Sequence, residues 1–326
     1  MRTFAIILAT LFIIALSYEV YLLIIPRPIQ EVVVEIQTGE PAARIGDKLV
    51  QHGVIRSKWP FVIYVRLRNI DQELSWGKYL FSGRMSTAAV VKKLLEGDVM
   101  THRVVIPEGL TVRETARRLD EQGFGDYDTF VDLVKDIEFA TQITGFPIET
   151  LEGFLYPETY YFAEGVSEEF ILRRMVNEFF HKTSELQLPN NFDFSFYEMI
   201  ILASIIEKEA RYIDEMPLIS SVFINRLNIG KRLQADPTVA YALAREGIER
   251  RTIYYIDLQI DSPYNTYQRI GLPPAPICSP SLPAMQAVLQ PAESEFLYFF
   301  ADQQGRHIFS KTYREHLNKQ RALRNR

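Results

Sequence analysis

The stretch "SFYEMIILASIIEKEA" (Ser195 to Ala210) predicts the central helix of the second half of this chain. Ser195 and Glu198 have the spacing of a helix capping box, so a helix is predicted to begin there. The residues that follow are nearly all apolar, which predicts a helix buried on most of its sides. Glu207 and Glu209 end this apolar run. A carboxylate beside so much apolar surface is paired, exposed, or retained for its proton.

The two glutamates fall on different faces of the predicted helix. At about 100° per residue, Glu209 lies within the apolar stripe and Glu207 lies roughly opposite, beside small alanines. On a surface helix, Glu207 would be solvated and Glu209 would need a salt bridge to a lysine or arginine. On a helix buried on most sides, Glu207 would instead face a cleft. The wheel alone leaves these alternatives open.

Composition excludes some classes of function. The chain has 326 residues, of which 47% are hydrophobic and 24% charged, as expected of one large or two smaller globular domains. Its net charge of −5 and the absence of a basic, aromatic-rich cluster argue against nucleic-acid binding. The single cysteine, Cys278, rules out an intrachain disulfide.

The spacing of the histidines predicts no metal site. The five histidines are scattered, and none has H-x-x-H or H-E-x-x-H spacing. His307 and His316 are therefore expected on the surface of a hairpin and a helix. Nothing matches a P-loop or a dinucleotide-binding fingerprint, so neither a metal nor another cofactor is predicted.

The N-terminus carries a long apolar run, "FAIILATLFIIALSYEVYLLII" (Phe4 to Ile25), whose single charge is Glu19. A bilayer span needs about 20 apolar residues, so residues 4–25 are predicted to be an uncleaved membrane anchor. A cleaved signal peptide is the alternative, but its apolar stretch would be shorter and would end at a small-residue cleavage site. The rest of the chain is expected on the extracytoplasmic side.

An internal repeat follows this run. "VVVEIQTGEPAARIGDKLVQHGVI" (Val32 to Ile55) and "HRVVIPEGLTVRETARRLDEQGFG" (His102 to Gly125) each predict a strand, a glycine turn and a short helix. Four positions match at an offset of 70, namely Ile36, Gly39, Leu49 and Gly53 with Ile106, Gly109, Leu119 and Gly123. Such units resemble the glycan-binding LysM modules, although a plain α/β scaffold has the same pattern.

Further helices and loops are predicted beyond residue 146. Pro217 and Gly230 bound one helix, and Asp236 before Pro237 is expected to cap another. Residues 262–283 form a long proline-rich loop of a kind that is often functional. A hairpin around Gly305 and a terminal helix complete the chain.

Several ordered strings resemble the MltG (YceG-like) family of endolytic murein transglycosylases. They are "ASIIEKEA", "SVFINRLNIGKRLQADPTV" (Ser221 to Val239), "SPYNTYQRIGLPPAPICSPS" (Ser262 to Ser281), "EGLTVRETARRL" (Glu108 to Leu119) and "LEGFLYPETYYF" (Leu151 to Phe162). The resemblance covers roughly residues 35 to 315.

The resemblance implies an α+β protein with three parts. These are an N-terminal transmembrane helix (1–26), a small LysM-like α/β subdomain (30–145), and a mainly helical, lysozyme-like catalytic domain with a β-hairpin (146–326). It also implies cleavage within nascent peptidoglycan strands, which leaves 1,6-anhydro-MurNAc ends and limits strand length. Murein polymerases of the elongation machinery are the implied protein partners.

The resemblance assigns the catalytic role to the first glutamate of "EKE", Glu207. One such group suffices for this chemistry, because the same carboxyl protonates the leaving oxygen and then deprotonates the MurNAc 6-hydroxyl that closes the ring. Glu209 matches the family string without a defined role. The other candidate substrate-binding residues are Asn225, Gln234, Asp236, Tyr264, Asn265, Tyr267 and Tyr156.

Two other functions are weighed against this one. A glycan-binding scaffold with an inactive catalytic domain would bind murein without cutting it. A muramidase that delivers water would need a second carboxylate across the cleft, and Asp236 is the motif acid nominated for that role.

Overall fold

The structure, a computed structural model, describes residues 2–189, 192–250 and 252–324. The chain folds into two compact units. The first comprises the residues up to Arg103 together with Tyr161–Val166, and the second comprises Val104–Tyr160 and the residues from Ser167 onward. In this division the second copy of the repeat belongs to the larger unit, and the predicted three-part organisation stays a prediction.

The first unit is built around a two-stranded antiparallel ribbon. In chain order its elements are α1 (Arg2–Ile24), β1 (Arg27–Ile36), α2 (Ala42–Gln51), α3 (Lys58–Arg68), a 3-10 turn (Asp71–Glu73), β2 (Gly77–Met85), α4 (Thr87–Glu96) and the start of β3 (Thr101–Val105). Strand β1 pairs with β2, from Arg27 opposite Met85 to Ile36 opposite Gly77. A core of side chains that includes Val34, Leu49, Phe61, Phe81 and Leu94, all fully buried, lies between the ribbon and helices α2, α3 and α4.

Among the residues that the structure describes, no helix has both the length and the hydropathy that crossing a membrane requires.

The second unit is mainly helical. Its elements are the end of β3, then α5 (Val112–Glu121), α6 (Tyr127–Lys135), α7 (Ile137–Thr144), β4 (Thr159–Ala163), which the unit boundary crosses, α8 (Glu168–Thr183), α9 (Phe196–Glu209), α10 (Met216–Asn228), α11 (Asp236–Arg245), α12 (Leu282–Leu289), β5 (Tyr298–Ala301), β6 (His307–Ser310) and α13 (Tyr313–Arg324). Two 3-10 turns, Ile213–Glu215 and Asp257–Gln259, precede α10 and follow α11. Strand β3 pairs with β4, and β5 pairs with β6 as an antiparallel hairpin.

Helix α9 lies at the centre of this unit. Its consecutive residues 199–206 are all buried, and the predicted capping box between Ser195 and Glu198 is confirmed. The proline-rich loop docks on α9 through Ser204, whose hydroxyl accepts the amide of Ile277 at 3.0 Å. Gly153 lets a second loop approach closely, since a Cβ there would lie 2.7 Å from Pro276.

The predicted repeat is confirmed as two copies of one local structure. Helices α2 and α5 have the same length and begin 70 residues apart. The turns before them place Gly39 and Gly109 at φ +70° and +75°, in the left-handed region that favours glycine. Gly53 and Gly123 follow the two helices at φ +69° and +78°. The matched glycines are therefore explained by backbone geometry.

Candidate active site

Glu209, the last residue of α9, lines a pocket of about 410 Å³. The other lining residues come from α10, the loop before α11, the proline-rich loop, the hairpin and α13: Arg226, Leu233, Gln234, Asp236, Tyr267, Phe299, Phe300, Ala301, His307, His316 and Gln320. Three of the predicted substrate-binding residues, Gln234, Asp236 and Tyr267, thus share one pocket with Glu209. The pocket combines aromatic faces with a few polar groups, as sugar sites require.

The Glu209 carboxyl is suited to hold a proton. Burial raises its pKa to about 8, the nearby negative charge of Asp236 adds to this rise, and Arg226 partly opposes it. The side chain is half-buried, and within the described parts of the chain its oxygens accept no hydrogen bond and form no salt bridge. The salt bridge considered for Glu209 on a surface helix is therefore not found among the described residues. A protonated carboxyl that faces an open pocket can donate to a ligand.

Thr266 assembles the polar side of the pocket. It joins the "RLQADPT" and "YNTY" segments, because its carbonyl accepts the amide of Gln234 at 3.1 Å and its hydroxyl accepts the amide of Ala235 at 3.0 Å. The same hydroxyl lies 2.8 Å from that of Thr238. Gln234 has φ +53°, a left-handed backbone that is unfavourable for a residue with a side chain.

The predicted helix-capping role of Asp236 is wrong. Ala235 occupies the N-cap position of α11, and Asp236 is the first helical residue, with no side-chain cap. Its carboxylate instead accepts the hydroxyl of Tyr267 at 2.5 Å. This bond keeps a second carboxylate at the pocket wall near Glu209.

Arg226, which follows Asn225 in the string from Ser221 to Val239, lines the same pocket. Its guanidinium donates to the carbonyls of Leu297 (2.6 Å) and Leu233 (2.7 Å) and to Oε1 of Gln234 (3.3 Å). These bonds fix the cation beside Glu209 and join α10 to the segments on either side of the pocket. No spacing in the sequence distinguishes Arg226 from an ordinary helical arginine.

Glu207 has different surroundings. Its Oε2 accepts both the amide (3.0 Å) and the hydroxyl (2.6 Å) of Ser281, the N-cap residue of α12. The neighbouring Lys208 donates to the carbonyl of Gly109 at 3.1 Å, in the loop before α5. These hydrogen bonds hold the end of α9 against α12 and against the loop before α5. The catalytic role of Glu207 stays a prediction.

The remaining predicted site residues do not line the Glu209 pocket, and the side-chain amides of two of them bind protein carbonyls. Asn225 donates to two carbonyls of the segment before β5 (2.8 and 3.1 Å). Asn265 is fully buried and donates to the carbonyls of Leu258 and Ile260. Tyr264 lines another cavity, and Tyr156 is buried below Lys182.

That other cavity is slightly larger, about 450 Å³, and also contains a carboxyl with a raised pKa. Burial raises the pKa of Glu152 to about 8. Both of its oxygens are occupied, however, by the hydroxyl of Tyr241 (3.0 Å) and by the amide of Val112 at the start of α5 (3.0 Å). Glu152 thus ties α11 to α5, whereas no described residue forms a hydrogen bond with the Glu209 carboxyl.

The expectation that His307 lies on the surface is wrong. Its side chain is 6% exposed and pairs with Glu215, with 2.8 Å between Nδ1 and Oε2. His316 also lines the Glu209 pocket, and burial lowers its pKa. Strand β6 and helix α13 bring these two rings to the pocket of Glu209, which is distant in sequence, so spacing alone does not reveal the contact.

Residues 34–322 match the model of the YceG-like family. The chain belongs to this family. The endolytic murein transglycosylase of Bacillus subtilis (strain 168) is 32% identical to this YceG-like protein over 301 residues, covering 87% of this chain and 82% of the relative. The endolytic murein transglycosylase of Streptococcus pneumoniae serotype 2 (strain D39) is 29% identical over 321 residues, and the match covers 57% of its length.

A solved structure agrees with the fold. A crystallised YceG-like protein from Listeria monocytogenes matches with a TM-score of 0.58 and 35% identity. The match covers 89% of this YceG-like protein and 98% of the other chain. It therefore includes both the ribbon unit and the helical unit.

Proposed function

We propose that this protein is an endolytic murein transglycosylase, which cleaves the MurNAc–GlcNAc bond within peptidoglycan strands and leaves 1,6-anhydro-MurNAc ends. The proposal is supported by family membership and by the two relatives, both of which are endolytic murein transglycosylases. The pocket around Glu209 has a composition that fits a sugar chain, with aromatic faces from Tyr267, Phe299 and Phe300 beside polar groups. The reaction needs no metal or organic cofactor.

The observation that carries the mechanism is the Glu209 carboxyl. A general acid must be protonated at the working pH and must reach the leaving oxygen. A pKa of about 8 meets the first condition, and an unpartnered position on the pocket wall meets the second. We therefore assign the acid–base role to Glu209, and we assign to Glu207 the role of holding α12 against the end of α9.

The reaction proceeds in two proton transfers at one residue. Glu209 protonates the glycosidic oxygen as its bond to MurNAc C1 breaks, and positive charge develops on the sugar ring. The Asp236 carboxylate is placed to stabilise this charge. The Glu209 carboxylate then takes the proton of the MurNAc 6-hydroxyl, whose oxygen bonds to C1 and closes the anhydro ring. Since the nucleophile belongs to the substrate, no water has to be activated.

The test is product analysis on purified, uncrosslinked glycan strands. Mass spectrometry of the fragments is expected to show MurNAc ends that are one water lighter than reducing ends, with fragment lengths distributed along the strand. The Glu209→Gln variant is expected to release no fragments. Binding of strands by the wild type without any cleavage would contradict the proposal and favour the scaffold function.

A muramidase is the second candidate, because Glu209 and Asp236 line one pocket as two carboxyls do in hydrolytic glycosidases. This enzyme would deliver water to C1 and leave ordinary reducing ends. The same mass spectra separate the two reactions, since the products differ by one water.

The location and partners of the protein follow from the same proposal. Residues 4–25 would anchor it in the inner membrane, with the rest of the chain on the extracytoplasmic side. The apolar run from Phe4 to Ile25 supports this proposal, because a bilayer span needs about 20 apolar residues. The strand–turn–helix units would be LysM-like and contact glycan, and murein polymerases would be partners. Membrane fractionation of the full chain against a variant that lacks residues 4–25 tests the anchor.

A further inference from the structure

His307 is a polar residue of the Glu209 pocket to which the proposed mechanism gives no task. It is the first residue of β6, and its side chain is 6% exposed. The ring stands edge-on to Phe299, with 5.1 Å between the centroids, and lines the pocket together with Glu209. Its orientation is therefore set by the hairpin as well as by its polar partner.

That partner is Glu215, in the 3-10 turn before α10. Its Oε2 lies 2.8 Å from Nδ1 of His307, and its Oε1 accepts the His307 amide (3.2 Å) and Nη1 of Arg306 (3.3 Å). Because a carboxylate only accepts hydrogen bonds, Nδ1 carries the hydrogen. In the neutral ring, Nε2 then has the lone pair.

Nε2 has no hydrogen-bond partner among the residues that the structure describes. Nε2 belongs to a side chain that is 6% exposed and lines the pocket, and a buried histidine–carboxylate pair is by itself a weak source of stability. The arrangement is therefore better explained by a ligand that satisfies Nε2. Amino sugars supply the required donors as ring hydroxyls and acetamido N–H groups.

We propose that Nε2 of His307 accepts a hydrogen bond from a hydroxyl or acetamido N–H of an amino sugar in the Glu209 pocket, and that Glu215 is the positioning residue that fixes its tautomer. This inference rests on the proposed function, because it takes the ligand of the pocket to be the glycan strand. It adds the hairpin, through His307, to the surfaces that select the substrate.

The test uses two substitutions that each keep one side of the imidazole. An asparagine amide lies close to the position of Nδ1, so His307→Asn keeps the bond to Glu215 and removes the group at Nε2. A glutamine amide reaches the position of Nε2, so His307→Gln keeps an acceptor for the sugar and loses the bond to Glu215. Both are made in the Glu209→Gln background, where strand binding is measured by calorimetry without cleavage.

His307→Asn is expected to weaken strand binding about tenfold, as for the loss of one hydrogen bond, and His307→Gln by no more than about threefold. Unfolding midpoints establish that both variants fold. Equal binding by the two variants, or weaker binding by His307→Gln, would overturn the inference and leave His307 as a structural tie to Glu215.

Glu215→Ala tests the positioning role. It is expected to weaken strand binding when His307 is present and to have no further effect in the His307→Asn background, because it acts only through the ring. An independent, additive loss would overturn this role. If Glu215→Ala does not fold, the comparison of strand binding by His307→Asn and His307→Gln tests the inference alone.

The two proposals fail in different ways. If the Glu209→Gln protein binds strands and both His307 variants bind them equally well, the inference is overturned and the proposed function stands. Failure of the wild type to bind or cut strands overturns both.

Discussion

Glu207 and Glu209 are two residues apart on one helix, yet they have opposite surroundings. The hydroxyl and amide of Ser281 hold Glu207 at the start of α12, whereas Glu209 faces a pocket beside Asp236. Burial without hydrogen-bond partners among the described residues favours the neutral form of the Glu209 carboxyl. A helical wheel identifies the two faces but cannot say which one meets the cleft, because that depends on segments from residues 109, 236 and 281.

The pH dependence of cleavage tests the electrostatics of Glu209. Since the acid must be protonated and its pKa is about 8, kcat/KM should be level near neutral pH and fall about tenfold per pH unit above pH 8. An acid with the ordinary glutamate value of 4.5 would lose activity well below pH 7. The pH profile of strand cleavage checks this.

Glu152 provides the matched control, because burial raises its pKa to the same value in another cavity. Glu152→Gln should leave the alkaline midpoint of the cleavage profile unchanged. A midpoint that moves with Glu152, or one that lies near pH 5 in the wild type, contradicts the role of Glu209.

The left-handed backbone of Gln234 predicts that two variants with similar activity differ in stability. Gln234→Gly and Gln234→Ala remove the same pocket side chain and should lower cleavage alike. They should differ in stability, because glycine accepts φ +53° without strain; the glycine variant should be about 1 kcal/mol more stable than the alanine variant. Urea unfolding measures this difference.

Asn69 serves as the control. It has φ +55° at the end of α3 and does not line the pocket. Asn69→Gly should therefore leave cleavage unchanged. Gly and Ala variants of Gln234 with equal stability would contradict the strain argument, and full activity in either would remove Gln234 from the site.

At the scale of elements, the contact between the end of α9 and the start of α12 depends on Ser281. Its hydroxyl both caps α12, through the amide of Ala284, and donates to Glu207. Ser281→Ala should therefore cost about 2–3 kcal/mol of unfolding free energy, more than the roughly 1 kcal/mol of a simple cap. In Ser281→Ala, a further Glu207→Gln change should cost less than it does in the wild type.

Ser167→Ala is the matched control for that element, since Ser167 caps α8 through the amide of Phe170 and has no glutamate partner. It should cost about 1 kcal/mol. Equal costs at the two caps, or additive effects of Ser281→Ala and Glu207→Gln, would show that the Glu207 bond contributes nothing to stability.

Thr266 holds the start of α11 to the proline-rich loop. Thr266→Val keeps the volume but leaves the buried amide of Ala235 without an acceptor, which should cost about 1–3 kcal/mol and misplace Gln234, Asp236 and Tyr267. Both stability and cleavage should fall. Thr183→Val is the control, because the hydroxyl of Thr183 bonds only to a carbonyl of its own helix. A Thr266→Val protein with normal cleavage would contradict this account of the pocket.

At the scale of the whole molecule, the elements that local pattern governs were predictable. The 70-residue repeat, the capping box at Ser195 and the hairpin around Gly305 are confirmed, since each depends on residues close in sequence. The ordered strings also predicted the family. The pocket was predicted only in part, because Arg226 and His307 reach it from elements whose packing no local signal encodes.

The strand-cleavage rate of Glu209→Gln, measured beside that of Glu207→Gln on the same glycan strands, tests the central claim most directly. Each substitution removes one carboxyl and keeps its shape. Loss of cleavage by several orders of magnitude in Glu209→Gln, with a far smaller loss in a folded Glu207→Gln, is the predicted result. Cleavage that persists in Glu209→Gln and disappears in a folded Glu207→Gln would contradict the account and assign the proton to Glu207.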